Sequence, residues 1–127
     1  MSDMLEGMGI DATEVRRMRQ LMERRHSAEE RLFTPAESEY CRRFVDPYQR
    51  FAARFAAKEA VGKALGTGII SWKEIEVLGG GKPRIALHGR TAAVAAGLGV
   101  TRIEVSLSHT TEQAFAVAAA VKERENV

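Results

Sequence analysis

The sequence predicts an α+β domain in which an antiparallel sheet packs against one long central helix. Three observations lead to this fold class. A helical pattern runs through residues 47–66, the apolar residues beyond Gly68 change from a period of 3.6 to a period of 2, and residues 4–11 form a short N-terminal strand segment. A chain of 127 residues has room for one compact domain, which we expect to span residues 1–127.

Helix signals follow the N-terminal strand. Thr13 is a candidate cap for a helix over about residues 14–25, and residues 26–33 indicate an irregular link or a short helical turn. A Thr-Pro-Ala-Glu capping box then begins a short helix over residues 34–44. An Asp-Pro pair repeats this start signal for the central helix, so we expect that helix to occupy residues 46–66.

Alternating apolar residues predict strands in the second half of the chain. Residues 74–87 alternate on both sides of a Gly-Gly-Gly-Lys-Pro connection, which is a β-hairpin signal. An alanine-rich helix over residues 90–98 and a strand over residues 102–108 follow. The last segment is ambiguous because its alanines favour a helix. The alternation from Phe115 to Val121 favours a strand, which we predict.

A carboxylate interrupts the apolar face of the central helix. Helical spacing continues this face from Phe55 to Glu59, and then to Gly62, Lys63 and Gly66. Taking a carboxylate out of water costs several kcal/mol unless it is paired, neutralised or bound to a metal. An exposed Glu59–Lys63 pair, worth about 0.3–0.5 kcal/mol, is one interpretation. The inward position and the bare glycine backbone favour a polar active site instead.

Asp11 lies where the first strand is expected to give way to the first helix, a common position for a functional carboxylate. Capping that helix beside Thr13 is the alternative role. Asp11 and Glu59 together offer two oxygen ligands from distant parts of the chain. Two carboxylates with open positions suit Mg²⁺, which completes its octahedron with waters and phosphate oxygens. Lys63 would then bring a positive charge to a phosphate.

His109 is predicted to lie in a turn between the last two strands. A lone histidine is more often structural than catalytic. The hydroxyl groups of Ser108 and Thr110 beside it make a contact with phosphate the alternative.

Composition and charge exclude several classes of protein. The single cysteine allows neither a disulfide framework nor a cysteine-based zinc site. We find no signal peptide and no membrane span, so we expect a cytoplasmic protein without a membrane partner. The net charge is only +2, yet five arginines within residues 14–25 and six basic residues within residues 42–63 indicate an anionic partner. No aromatic residue lies among the five arginines of residues 14–25, so we do not expect nucleic acid to be that partner.

Three motifs together resemble one family. GIDATEVRRM (residues 9–18), FAAKEAVGKALGTGI (residues 55–69) and VSLSHT (residues 105–110) occur in the order and rough spacing of the 4′-phosphopantetheinyl transferases. The short length and the GIDATEV opening are similar to the bacterial holo-acyl-carrier-protein synthase branch. LFTPAE and GKPRIAL fit as well, so the resemblance covers nearly the whole chain. One departure is Ala12-Thr13, where the family more often has larger apolar residues.

The resemblance implies a fold, an activity and a set of site residues. The fold is that of a single short transferase domain. The activity transfers the 4′-phosphopantetheine arm of coenzyme A to a serine of a carrier protein and releases 3′,5′-ADP. Asp11 and Glu59 match the Mg²⁺ ligands, and Lys63 matches a phosphate-binding lysine that also acts in proton transfer. The positions lining the coenzyme A site are Arg54, Lys63, Gly66, His109 and Thr110.

The resemblance also implies partners and an assembly. The surface that grips an acidic acyl carrier protein corresponds to Arg17, Leu21, Arg24 and Arg25. Similar short enzymes are homotrimers with each site shared between neighbouring subunits, and the small core of this chain favours oligomerisation. The base that accepts the serine proton stays open among Glu59, Lys63 and a metal-bound water.

Two alternatives belong to other functional classes. A non-enzymatic module that binds RNA or an acidic partner would explain the arginines but leaves Glu59 and Lys63 without a purpose. A different Mg²⁺-dependent nucleotide enzyme would explain the carboxylates, but the sequence contains neither a P-loop nor a GxGxxG motif.

Overall fold

The helices and strands follow one another in the predicted order, and the fold class is α+β. The computed structural model describes residues 2–123, within which the chain forms five α-helices and five strands. The elements are β1 (Asp3–Glu14), α1 (Val15–Arg24), α2 (Ala28–Leu32), α3 (Pro35–Arg42), α4 (Pro47–Leu65), β2 (Ile75–Leu78), β3 (Arg84–Leu87), α5 (Gly89–Gly97), β4 (Val100–His109) and β5 (Gln113–Glu123). Residue 1 and residues 124–127 of the predicted domain lie outside the described part, and its assignment as one unit over residues 1–127 stays a prediction.

The main sheet has three antiparallel strands in the order β1-β5-β4. The N-terminal strand therefore pairs with the C-terminal strand, and β5 has hydrogen-bonded neighbours on both sides. β2 and β3 form the predicted hairpin, but they make a separate two-stranded sheet. The sequence pattern predicts each strand without indicating this division.

Alanine fills the contact between α4 and the main sheet. Three alanines of β5 (Ala116, Ala118 and Ala120) are buried in one core with Ala60 and Val61 of α4. Since alanine has a short side chain, the helix and the sheet can lie close together. The alternating apolar residues of β4 pack on the margin of this core, as the pattern predicts.

The larger side chains of β5 face away from α4. Phe115 and Val117 are 40% and 39% exposed, and the neighbouring Met8 and Ile10 of β1 are 60% and 65% exposed. The strand prediction for this segment is confirmed. Val121, which the alternation places with Phe115 and Val117, is buried instead. Both neighbouring strands change register beside it, which interrupts the simple alternation.

The predicted start of α1 is wrong in one respect. β1 continues its pairing with β5 through Thr13 and Glu14, so the strand leads into the helix without a loop. Glu14 is the residue before the helix, and it makes no side-chain capping bond. Thr13 therefore does not cap α1, and Asp11 is a strand residue rather than a capping residue. Strand pairing has prevailed over the local preference of threonine for helix starts.

The other helix boundaries follow their local signals. The capping box of α3 is complete, with Thr34 and Glu37 each bonded to the other's backbone N–H. Asp46 accepts a hydrogen bond from the Tyr48 N–H at the start of α4. Gly66 ends this helix at φ +75°, a left-handed conformation that favours glycine. None of the helices within residues 2–123 is long and apolar enough to cross a membrane.

Candidate active site

A groove of about 710 Å³ lies where β1, α1 and α4 meet. Asp11 enters it from β1, and Glu59 enters it from α4. Phe55 and Trp72 stack on each other with ring centroids 4.6 Å apart and form an aromatic wall. The fold therefore brings together the two carboxylates that are predicted from the sequence to be metal ligands.

Lys63 binds Asp11 rather than Glu59. Its Nζ lies 3.2 Å from Asp11 Oδ1 and donates a second hydrogen bond to the Ile10 carbonyl at 3.0 Å. The Lys63 side chain is about half exposed, and Asp11 is mostly buried. The interpretation of Glu59 and Lys63 as a surface ion pair within one helix is therefore wrong. A long-range contact replaces it and ties β1 to α4.

Glu59 is held in an environment that disfavours its negative charge. Burial raises the pKa of Glu59, and the neighbouring Asp11 carboxyl raises it further. The positive charges of Lys63 and Arg17 oppose this shift without cancelling it. A cation between the two carboxyl groups would offset the cost of burying the negative charge of Glu59 and the repulsion between Glu59 and Asp11.

The donor set fits a metal ion that takes most of its ligands from elsewhere. Within residues 2–123 no group of three or more His, Cys, Asp or Glu side chains is placed to hold a metal. Asp11 and Glu59 provide two carboxylates at the edge of an open groove. Mg²⁺ commonly uses one or two protein carboxylates, with waters and substrate phosphates as the remaining ligands. The pair thus suits Mg²⁺ better than a metal that needs a complete protein cage.

The five arginines of α1 and its C-terminal cap divide into two groups. Arg17, Arg24 and Arg25 line the same groove, together with Leu21 and Gln20. Arg19 instead pairs with Asp46 at 3.4 Å, close to the start of α4, and Arg16 does not line the groove. The four residues matched to the carrier surface, Arg17, Leu21, Arg24 and Arg25, therefore all line the groove with the carboxylates, and their role in docking stays a prediction.

Arg54 lies away from this groove. It is 4% exposed, stacks over the Tyr40 ring at 4.1 Å and donates a hydrogen bond to the Gly79 carbonyl at 3.0 Å. Its Nε has no hydrogen-bond partner among the residues that the structure describes. The side chain is thus fixed beside the glycine-rich β2–β3 connection, and its buried Nε–H is unpaired within the described residues.

His109 and Thr110 lie at the end of β4 and are exposed. The Thr110 hydroxyl accepts hydrogen bonds from the N–H groups of Glu112 and Gln113, which shapes the turn into β5. Gly66 lies at the far end of α4. Within one chain these three residues, Arg54 and Lys63 do not line the groove that holds Asp11 and Glu59, although Lys63 contacts Asp11. Their assignment to a coenzyme A site stays a prediction.

Glu59 is the charge predicted to face inward on α4, but its neighbour Lys58 is the one that is completely buried. Glu59 is only partly buried, whereas Lys58 is completely buried and pairs with Glu37. Neither residue of this pair is among the site residues predicted from the sequence. The alanines on both sides of Lys58 and Glu59 are a signal that could have drawn attention to both positions. It does not tell which of the two faces inward.

Residues 7–120 of the chain match the 4′-phosphopantetheinyl transferase superfamily. This match spans most of the chain and includes the strand with Asp11 and the helix with Glu59 and Lys63. The chain belongs to the 4′-phosphopantetheinyl transferase superfamily and is an enzyme. The family prediction made from the three motifs is confirmed.

Relatives narrow the class to the holo-[acyl-carrier-protein] synthase branch. Such a synthase from Desulforudis audaxviator is 47% identical over 128 residues, which cover 97% of this chain and 98% of that protein. The crystal structure of the Plasmodium yoelii synthase has a TM-score of 0.87 at 26% identity, covering 98% of this chain and all of that one. The Bacillus anthracis synthase in complex with CoA (3′,5′-ADP) has a TM-score of 0.77 at 29% identity. This match covers 94% of this chain and 99% of that one.

Proposed function

We propose that the chain transfers the 4′-phosphopantetheine group of coenzyme A to a serine of an apo acyl carrier protein. The reaction depends on Mg²⁺ and releases adenosine 3′,5′-bisphosphate. Asp11 and Glu59 line one open groove, and Lys63 forms an ion pair with Asp11; this arrangement carries the proposal. The complex of the Bacillus anthracis relative with CoA (3′,5′-ADP) supports the choice of donor and product.

Asp11 and Glu59 would hold the metal, and Lys63 would contact a phosphate of the donor. Bound Mg²⁺ supplies positive charge that lowers the cost of the negative charge developing on the pyrophosphate. Lys63 contributes to phosphate binding through its position, because its ion pair with Asp11 keeps the ammonium group beside the carboxylate pair. The raised pKa of Glu59 suits a group that accepts a proton, and Lys63 is the other candidate base within the chain.

The carrier protein would dock on the α1 side of the groove. Arg17, Arg24 and Arg25 present positive charge there, and Leu21 lies among them as an apolar contact. An acidic carrier helix offers carboxylates for bidentate contact with arginine. Docking on this rim would bring the carrier serine towards Asp11 and Glu59.

The active assembly would be a homotrimer with sites between subunits. An outward apolar face of the main sheet, formed by Met8, Ile10, Phe115 and Val117, supports an interface. A shared site would also explain why Arg54, Gly66, His109 and Thr110 lie outside the groove of one chain. A neighbouring subunit can bring its copies of these residues to that groove. The cytoplasmic location stays a prediction.

Intact-mass measurement of a carrier protein tests the proposed activity. An apo carrier incubated with coenzyme A, Mg²⁺ and this enzyme should gain the mass of one phosphopantetheine group, while a serine-to-alanine carrier should gain nothing. Release of adenosine 3′,5′-bisphosphate in equal amount should accompany the gain. A carrier that binds the protein but keeps its mass would support the non-enzymatic binding module instead.

A further inference from the structure

Two glycines of β1 lie directly against the backbone of α4. A Cβ atom built on Gly9 would lie 1.9 Å from the Ala60 carbonyl oxygen, and one built on Gly7 would lie 2.0 Å from the Ala64 carbonyl oxygen. Real Cβ atoms essentially never approach closer than 3.0 Å. Neither glycine has a positive φ angle, so the requirement at both positions is for space.

The two contacts repeat because the strand and the helix advance at similar rates. Two residues of a strand advance roughly 6.6 Å, and four residues of a helix, slightly more than one turn, rise about 6 Å. Gly7 and Gly9 therefore meet successive turns of α4. Asp11 is the next residue on the same side of β1, since side chains of a strand alternate between its faces. There the side chain reaches Lys63 and the neighbourhood of Glu59.

We infer that Gly9 is a positioning residue that sets the spacing of the Asp11 and Glu59 carboxylates. The inference rests on the proposed function, in which these carboxylates hold Mg²⁺. A side chain at residue 9 would press on Ala60, which directly follows Glu59. It would also meet the Cβ of Lys63 at 2.9 Å, so both partners of Asp11 are affected.

The displacement is large compared with what a magnesium site tolerates. To bring the Gly9 contact back to an allowed distance, β1 must move from α4 by about 1 Å or more. Mg²⁺ demands near-ideal octahedral geometry, with ligands at roughly 2.0–2.1 Å. Gly7 makes an equally close contact, but it lies farther from Asp11 and beside the register change of β1. A side chain at residue 7 should therefore strain the packing and leave the carboxylate spacing intact.

Binding of Mn²⁺ to the free enzyme, followed by electron paramagnetic resonance, tests the inference without using activity. Gly9→Ala should weaken Mn²⁺ binding about tenfold or more, a size typical of lost support around metal ligands. Gly7→Ala is the matched control, because it adds the same methyl group against the same kind of atom. It should lower the unfolding temperature by a similar amount while changing Mn²⁺ affinity less than about twofold. Equal loss of affinity in both variants would overturn the inference.

Rescue by a longer side chain gives a second measurement. Asp11→Glu adds one methylene group, so in the wild-type background the carboxylate should overshoot and Mn²⁺ binding should weaken. In the Gly9→Ala background the same substitution should strengthen binding, because the longer side chain spans the widened gap. The effect of Asp11→Glu on Mn²⁺ affinity would thus have opposite signs in the two backgrounds. Independent packing defects do not produce such a coupling between two residues. Additive losses would contradict the inference.

Three further outcomes bear on the inference and on the proposed function. If Gly9→Ala does not fold, Asp11→Glu alone decides, and undiminished Mn²⁺ affinity in that variant would overturn the role of the spacing. If Asp11→Ala binds Mn²⁺ as the wild type does, the proposed metal site itself is wrong. Loss of binding in Asp11→Ala together with full binding in Gly9→Ala would refute the positioning role alone.

Discussion

Lys58 and Glu37 form an ion pair with 2.8 Å between Nζ and Oε1, and both side chains are completely buried. Lys58 also donates hydrogen bonds to the Trp72 and Ile75 carbonyls, so its three donors meet three acceptors. Burial lowers the pKa of Lys58, and the Glu37 carboxylate opposes that shift. The pair joins α3, α4 and β2 and holds the Trp72 backbone beside the groove.

Lys58→Met should destabilise the fold by about 3–5 kcal/mol, because it leaves the Glu37 carboxylate buried without its cation. Urea unfolding at one fixed protein concentration measures the loss, since the stability of an oligomer depends on concentration. Lys73→Met, at an exposed position just after Trp72, is the control and should stay within about 0.5 kcal/mol of the wild type. A loss below about 1 kcal/mol for Lys58→Met would show that the pair contributes no more than an exposed one.

Glu76 should make the stability depend on pH in the acid range. Burial alone would raise the pKa of Glu76, but hydrogen bonds from Thr34 and His88 outweigh it and hold the pKa below its ordinary value of 4.5. A carboxyl group with a lowered folded-state pKa stabilises the fold above its unfolded-state pKa. That contribution is lost as the pH falls through the folded-state value.

Glu76→Gln should therefore cost about 1–2 kcal/mol at pH 7, and the difference from the wild type should shrink below about pH 4.5. Urea unfolding of both proteins across pH 3–7 measures this difference. Glu30→Gln, at an exposed position, should show no comparable pH dependence. A difference that grows as the pH falls would contradict the assigned sign.

Local and periodic signals predict most of the fold. The capping box of α3, the Asp-Pro start of α4 and the hairpin over residues 75–87 each depend on neighbouring residues, and all three are confirmed. The limits of β1 depend on its pairing with β5, a partner about a hundred residues away. Reading Thr13 as a cap fails for that reason.

The sequence predicts which residues form the candidate site better than it predicts how their side chains are arranged. α4 is buried on nearly every side, so a helical face pattern does not tell which charge points inward. Lys58 and Glu59 are neighbours, and only the position of Glu37 makes Lys58 the buried one. The tie between Lys63 and Asp11 depends on how closely β1 lies on α4. The sequence shows the glycines that permit this approach, but not which carbonyl groups they meet.

Asp11→Ala and Glu59→Ala should each abolish transfer while leaving the fold intact. Each variant removes one of two proposed metal ligands and with it most of the neutralisation of phosphate charge. Because burial and Asp11 both disfavour the Glu59 charge, Glu59→Ala should not lower the unfolding temperature much. Product formation at saturating Mg²⁺ and thermal unfolding are the two measurements, with Glu23→Ala, an exposed change on α1, as the control. Near-wild-type turnover in either variant would show that the residue is not a ligand.

Ile10→Asp should convert the proposed homotrimer into monomers. Ile10 pairs with Val117 across β1 and β5, and both are exposed on the outer sheet face in one chain. A carboxylate in the centre of an apolar interface would lose its water without gaining a partner. Light scattering measures the mass, and Val45→Asp, a fully exposed position outside the sheet, should leave it unchanged. A wild-type protein that is monomeric at micromolar concentration would refute the trimer itself.

Reversing Arg17 and Arg24 to Glu should raise the Michaelis constant for the carrier far more than that for coenzyme A. Both side chains line the groove on the α1 side, where an acidic helix would find long-range attraction and bidentate contacts. Exposed charges act mainly on encounter and are screened over about 8–10 Å at physiological salt. The wild-type preference for the carrier should therefore weaken as the salt concentration rises.

Arg16 and Arg19 supply a control with the same change in net charge. They lie on the same helix but do not line the groove, and Arg19 already pairs with Asp46. Reversing both of them should affect carrier binding much less if local contacts matter, and equally if only the net charge of α1 matters. Coenzyme A is itself an anion, so salt dependence alone cannot separate the two substrates. Equal losses for carrier and coenzyme A in the Arg17 and Arg24 variant would place these arginines at the nucleotide site. No loss for either substrate would show that the groove arginines only face solvent.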